Sequence, residues 1–306
     1  MTRSAYVITG PTSGIGRATA LELAKHGTIV LVGRDRGRLD EVRAVIQGHG
    51  GEAACVVCDL ADLATVPRAA KEIAALGLPL AGLVNNAGVM MTSDRKTAQG
   101  LDLTYVTNHL GPFVLTEALL PHLPDGAQVL FVASAVEDPE RKPAVAAGFR
   151  GSRYRSVEAN ARGEWKPGGS TRPGMDAYAT SKQGNLAAAL ALSREHPRLR
   201  INAIEPGVNP TTGLSRDAGA FVRALTAYVV PVLVWMLMPF IRILSTPKYA
   251  ARVIARIMTD DAPRTGVYFD ERGEPMQGSA QVRDPHFQDR LVAETRAFLA
   301  HAGSGV

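Results

Sequence analysis

The sequence predicts an α/β fold: a doubly wound, mostly parallel sheet of seven strands with helices on both faces, in one domain over residues 1–306. Three observations carry that expectation. Short, continuously apolar runs such as Ala5-Tyr6-Val7-Ile8 recur, as strands buried on both faces require. Stretches of helical pattern separate them, and the alternation calls for parallel strands joined by right-handed crossovers. Glycines, amides and hydroxyls fall where the runs end, which is where such sheets bind ligands.

The composition suits a large soluble core: 46% of the 306 residues are hydrophobic and 21% charged. The net charge of +5 is spread among acids, with no block of like charge, so no nucleic-acid partner is expected. Two cysteines exclude a disulfide framework and fit a reducing, cytoplasmic location. They stand as Cys55-Val56-Val57-Cys58. The valines argue for a strand, in which positions three apart face opposite ways, so core thiols are expected rather than a redox pair. The apolar run from Ala5 ends at Thr9-Gly10, so no signal peptide is expected. The seven histidines show no ligand spacing, so no metal site is expected.

Taken in order, the first strand runs into Thr9-Gly10-Pro11-Thr12-Ser13-Gly14-Ile15-Gly16 and then a helical pattern ending near Gly27. Strand, glycine-rich turn and helix N-terminus together present backbone N–H groups and a positive dipole end to phosphates. The spacing is Gly-x-x-x-Gly-x-Gly, and the alternative is a tight turn without a ligand. The second strand, Thr28 to Val32, leads to Gly33-Arg34-Asp35. An acid here would bind a ribose 2′-OH, whereas an arginine accommodates a 2′-phosphate; Arg34 therefore favours NADP(H) over NAD(H). Asp35 is the rival, with a helix cap as its other role.

A third strand, Ala54 to Val57, ends at Asp59-Leu60, and a fourth, Leu80 to Val84, at Asn85-Asn86-Ala87-Gly88. A helix from about Leu101 to Leu123 carries Asn108, and Pro112 should disturb it one turn back, at Asn108. The fifth strand, Gln128 to Val132, ends at Ala133-Ser134. Further on, Tyr178 and Lys182 are four apart, one above the other on a helix. A fixed ammonium beside a phenol favours the phenolate and brings the pair within reach of acid–base chemistry at a carbonyl or alcohol oxygen. That spacing also arises by chance; the strand ends upstream single it out. A sixth strand, Arg200 to Glu205, leads into Pro206-Gly207.

On these motifs the chain resembles the short-chain dehydrogenases/reductases, whose fold is Rossmann-type. The match runs through Thr9 to Gly16, Asp59, Asn85 to Gly88, Asn108, Ser134, Tyr178 with Lys182, Pro206-Gly207 and Thr211. Asn108-His109-Leu110-Gly111, Thr246-Pro247-Lys248 and Gly266-Val267-Tyr268-Phe269 make it most similar to retinol dehydrogenases and protochlorophyllide reductases. The resemblance implies that Tyr178 is the proton donor or base and that Lys182 holds the nicotinamide ribose and depresses the tyrosine pKa. It implies that Ser134 bonds the substrate oxygen and Asn108 holds a water in a proton relay. It also implies cofactor contacts from Gly10, Thr12, Ser13, Gly14, Ile15 and Gly16. Arg34, Asp59, Leu60, Asn86, Ala87 and Gly88 would add to these, with Pro206, Gly207, Val208 and Thr211 at the nicotinamide end.

The sequence departs from the family pattern at Ala133, where serine or glycine is common, and in the long gap of 44 residues (178 − 134) before Tyr178. The insertion, residues 135–175, is rich in Gly, Pro, Arg and Glu without periodicity. It reads as a flap beside the substrate, the alternative being a mobile surface insertion. Ala224 to Ile241 is free of charge over eighteen residues (241 − 224 + 1), which rise only about 27 Å against a hydrocarbon core of about 30 Å. Pro231 and Pro239 interrupt it, so 212–246 reads as a lid over a bulky apolar substrate. The alternatives are a lid that also touches a membrane surface, and a spanning helix. Thr246-Pro247 should cap a helix to about Met258, Gly266 to Asp270 should be an edge strand, and Pro285 to Ala300 a final amphipathic helix. The expected activity is NADP(H)-dependent hydride transfer to or from a carbonyl or alcohol, by a monomer or homodimer. A catalytically silent NADP(H) sensor and a reductase of carbon–carbon double bonds are the alternatives.

Overall fold

A computed structural model describes residues 4–207, 245–262 and 264–303. Its first half alternates β1 (Ala5–Thr9), α1 (Gly14–Leu23), β2 (Thr28–Gly33), α2 (Arg36–Gly48), β3 (Ala53–Val57), α3 (Val66–Ala75) and β4 (Leu80–Asn85). Next come α4 (Leu103–Tyr105), a π-helical turn (Val106–Leu110) and α5 (Gly111–Leu119), then β5 (Gln128–Val132), α6 (Lys142–Ala146) and α7 (Val157–Ala161). The rest is α8 (Met175–Glu195), β6 (Arg200–Ile204), α9 (Pro247–Thr259), β7 (Tyr268–Phe269), β8 (Pro275–Met276) and α10 (Pro285–Gly303).

The strands lie in the order β3-β2-β1-β4-β5-β6-β7-β8, all pairs parallel except β7 with β8. Stepping from β3 to β1 and then jumping to β4 puts the reversal of strand order between β1 and β4, the place where a crevice opens above the strand ends. Alternate strand residues feed two cores. Val7, Val30, Leu83 and Phe131 pack under α3, α5, α8 and α10, while Ile8, Leu31, Val84 and Leu130 pack under α1, α2 and α9. A fully buried Val, Leu or Phe side chain contributes roughly 1.5–3 kcal/mol. The sheet is thus apolar on both faces, as its continuous runs foretold.

Two expectations about the sheet change. It has eight strands rather than seven, and β7 is not the edge: Tyr268 and Phe269 pair antiparallel with Met276 and Pro275. The edge strand tolerates Pro275, which has no N–H to donate. The helix around Asn108 is disturbed where expected. Pro112 has no N–H for the Asn108 carbonyl, and the chain widens into a π turn in which the Gly111 N–H reaches back to the Val106 carbonyl.

α8, the helix of Tyr178, is buried along most of its length, with alanines at 177, 179, 187, 188, 189 and 191 letting it lie close to the sheet. The insertion is ordered rather than structureless. Glu137, fully buried, accepts from the Ser279 N–H at 2.8 Å and the Ser279 hydroxyl at 2.6 Å. Tyr154 donates to Glu294 of α10 at 2.6 Å, and the Val157 N–H donates to the same carboxylate at 3.0 Å. Thr246 caps α9 as expected, its hydroxyl accepting from the Tyr249 N–H at 3.1 Å. Among the described residues, no helix is long and apolar enough to cross a membrane. Ala224 to Ile241, and most of the expected lid, lie outside the described residues.

Candidate active site

The turn after β1 is shaped by its glycines. Gly10 has φ +66°, a conformation that side-chain-bearing residues rarely adopt. Gly16 has no room for a side chain, since a Cβ there would lie 2.2 Å from the Gly10 carbonyl oxygen and 2.3 Å from Asn86 Nδ2. Asn86 staples the ends of β1 and β4 together: its amide donates to the Thr9 and Gly10 carbonyls at 2.9 and 3.3 Å. Thr9 Oγ1 accepts from the Asn86 and Ala87 N–H groups, both at 3.0 Å. The Ser13 side chain makes no capping bond to α1, and Thr12 to Gly16 line a cavity of about 540 Å³. The positive end of the α1 dipole therefore faces that cavity, as a phosphate site requires.

Asp35 takes the capping role: its carboxylate accepts from the Arg38 N–H at 3.1 Å and pairs with the Arg38 guanidinium at 3.5 Å. Arg34, just before the Asp35 cap, and Arg38, in the first turn of α2, both line the cavity wall beyond β2. Arg38 was not singled out from the sequence, because an arginine in a helix's first turn reads as a solvated surface. Asp59 and Leu60 line the same region, and Asp59 accepts from the Ala61 N–H at 3.0 Å.

At the other end of the cavity stand Ser134, Tyr178, Lys182, Pro206 and Gly207, with Ala87 and Gly88 along the wall. Lys182 is 3% exposed; its ammonium donates to the Val132 carbonyl at 2.7 Å and lies 5.5 Å from the Tyr178 ring centroid. Burial lowers its pKa to about 8, against the attraction of Glu205. Tyr178 behaves differently from the expectation that Lys182 depresses it. Burial raises the phenol well above its ordinary value, and the Glu205 carboxylate raises it further. Phe149 of the insertion lies beside it, ring centroids 6.3 Å apart.

Asn108 does not line the cavity. Its carbonyl oxygen accepts from the Val89 N–H at 2.7 Å, and its amide donates to the Val89 carbonyl at 2.8 Å and to Ser181 Oγ at 3.1 Å. The side chain thus ties the segment after β4 to α8, instead of presenting a polar atom to the cavity. Val208 and Thr211 lie outside the described residues. Met90, Met91, Arg95, Leu103 and Thr107 form a wall that no motif marked. Glu205 also went unmarked: the sequence placed it at the end of the sixth strand, and no spacing singled it out as part of the site.

The glycine cradle, the dipole and the guanidinium pair fit a dinucleotide, and a tyrosine, serine and lysine stand at the far end of the same cavity. Comparisons agree. The short chain dehydrogenase family matches residues 4–145. A polyprenol dehydrogenase of Mus musculus is 32% identical over 98% of this chain and 84% of its own length. A short-chain dehydrogenase/reductase of Armillaria gallica is 32% identical over 74% of this chain and 71% of its own. A short chain dehydrogenase of Burkholderia cenocepacia, solved in complex with NADP, has the same fold: TM-score 0.63, 23% identity, 88% of this chain and 95% of that one. The chain belongs to the short-chain dehydrogenase/reductase family.

Proposed function

We propose that this protein is an NADP(H)-dependent oxidoreductase acting on a carbonyl or alcohol of a bulky, apolar substrate. The observation that carries the reading is the convergence of Ser134, Tyr178 and Lys182 on the cavity that the Gly10–Gly16 turn also lines. The nicotinamide would supply or accept the hydride. Tyr178 would give the proton to the oxygen in reduction, or take it in oxidation, and Ser134 would hold that oxygen. Lys182, an ammonium below pH 8, would sit against the ribose and complete the acid–base group.

NADP(H) rather than NAD(H) is supported by Arg34 and Arg38 on the cavity wall and by Asp35 being engaged as a helix cap. The apolar substrate is supported by Met90, Met91 and Leu103 lining the cavity, by the uncharged 224–241 stretch, and by a relative named for a polyprenol. NADPH consumption with a panel of apolar ketones, aldehydes and quinones tests the reading. The expected outcome is turnover that increases with apolar bulk. Turnover confined to small hydrophilic carbonyls would contradict it.

A further inference from the structure

Among the described residues that line the cavity, the cations are Arg34, Arg38, Arg95 and Lys182, and the acids are Asp35, Asp59 and Glu205. Each acid is engaged with backbone: Asp35 accepts from the Arg38 N–H, Asp59 from the Ala61 N–H, and Glu205 from the Ala135 and Gly207 N–H groups. Arg34 and Arg38 lie beyond β2, and the Lys182 ammonium donates to the Val132 carbonyl. Arg95 is left without an assigned place. Its backbone is fixed, its carbonyl accepting from the Leu103 N–H at 2.9 Å. The acid beside it in the chain, Asp94, pairs instead with Lys96 at 3.1 Å, and the Lys96 ammonium also donates to the Arg162 carbonyl at 2.7 Å. Among the described residues, the Arg95 guanidinium has no ion pair and no hydrogen bond.

The segment that carries Arg95 lies toward the catalytic end of the cavity. A Cβ on Gly174 would fall 1.6 Å from the Met91 carbonyl oxygen, and the Gly174 carbonyl accepts from the Tyr178 N–H at 3.0 Å. The segment is thus packed on the turn of α8 that leads to Tyr178. Met90, Met91 and Leu103 line the cavity with Arg95, so its charge stands beside an apolar wall. An exposed arginine is ordinarily a solvated group. One set beside the apolar wall of a ligand cavity, with its neighbouring acid paired elsewhere, orients what enters. A guanidinium grips a carboxylate through two parallel hydrogen bonds. It balances one negative charge, which a carboxylate carries and a phosphate monoester exceeds near neutrality. Resting on the oxidoreductase reading above, we propose that Arg95 is a specificity-determining residue and that the substrate is amphipathic. Its apolar body presents a carbonyl or alcohol to Ser134 and Tyr178, and its carboxylate is held by Arg95.

The test compares two long-chain aldehydes of equal length, one ending in a carboxylate and the other in its methyl ester. NADPH-dependent reduction of each is measured for wild type, Arg95→Ala and Arg95→Lys, with NADPH affinity measured alongside. In wild type the acid has the lower KM. In Arg95→Ala its KM rises about fivefold or more while kcat stays within about twofold, because the lost contact binds ground state and transition state alike. The KM of the ester and the NADPH affinity do not move, and Arg95→Lys, which keeps the charge without the fork, falls between. Equal changes for acid and ester, or no change for either, overturn the proposal. A loss of NADPH affinity in Arg95→Ala also overturns it, since Arg95 is then a cofactor contact. If neither aldehyde is turned over, calorimetry of decanoate and decanol binding to the NADPH-loaded proteins decides. Loss of decanoate binding alone in Arg95→Ala upholds the anion site and places the failure on the oxidoreductase reading. Decanoate and decanol responding alike overturn the proposal.

Discussion

Replacing Gly16 with alanine places a methyl carbon 2.2 Å from the Gly10 carbonyl oxygen and 2.3 Å from Asn86 Nδ2, far inside van der Waals contact. The Gly10 carbonyl is backbone and part of the turn, so the turn itself must shift, and the amide of Asn86 must swing away as well. That breaks its bonds to the Thr9 and Gly10 carbonyls, at 2.9 and 3.3 Å. Two such bonds are worth about 1 kcal/mol each, and overpacking adds about 1–3 kcal/mol. The better helix propensity of alanine returns about 1 kcal/mol. The net loss is about 2–4 kcal/mol, a factor of roughly 30 or more in an equilibrium constant. It is divided between folding stability and cofactor affinity, because the turn belongs to both. Urea denaturation and fluorescence titration with NADPH on the Gly16→Ala protein measure the two shares. If both the denaturation midpoint and the NADPH affinity match wild type, the proposed cradle is wrong.

Other predictions follow from neighbouring residues. Arg34→Ala with Arg38→Ala should weaken NADPH binding on the order of tenfold or more and leave NADH binding unchanged; equal loss for both cofactors would contradict the 2′-phosphate role. His109 is fully buried, with Nδ1 3.3 Å from Asn185 Oδ1, and burial lowers its pKa to about 4. The unfolded chain protonates it near the ordinary histidine value of 6.5, so stability present above that value is lost as pH falls from 6.5 toward 4. The difference of 2.5 units (6.5 − 4) corresponds to about 3 kcal/mol. Urea unfolding of wild type and His109→Asn should therefore show a shallower loss between pH 7 and pH 4 in the variant. Equal losses would show that His109 does not titrate this way.

Much of the fold was legible because buried parallel strands leave a signal that few other structures produce. The runs at Ala5, Thr28, Leu80 and Gln128 are continuously apolar, and each appears as a strand in the structure. β8 left no such signal: Pro275 and Met276 are two residues, one with no N–H, and only pairing with Tyr268 and Phe269 makes them a strand. α6 and α7 are five residues each, too short for a 3.6-residue period to show, so the insertion read as structureless. What orders it lies far away in sequence, in Glu294, Ser279 and Thr180. The same distinction divides the site. Gly10, Gly16, Tyr178 and Lys182 were legible because their chemistry depends on local spacing. Glu205, Arg38 and Met91 were not, because each acquires its place only when separate strand ends meet. Asn108 was legible as a position, yet its side chain faces Val89 and Ser181, which spacing alone does not reveal.

Tyr178 is proposed to move the proton, in the pocket proposed for the cofactor. Tyr178→Phe removes only the phenolic hydroxyl and keeps the ring that lies beside Phe149 and Lys182. NADPH binding and NADPH-dependent reduction of an apolar carbonyl, measured on wild type and this variant together, test it directly. Expected are binding within about threefold of wild type and reduction lowered by roughly 10²–10⁴. A variant that binds NADPH and still reduces the carbonyl at close to the wild-type rate would contradict it.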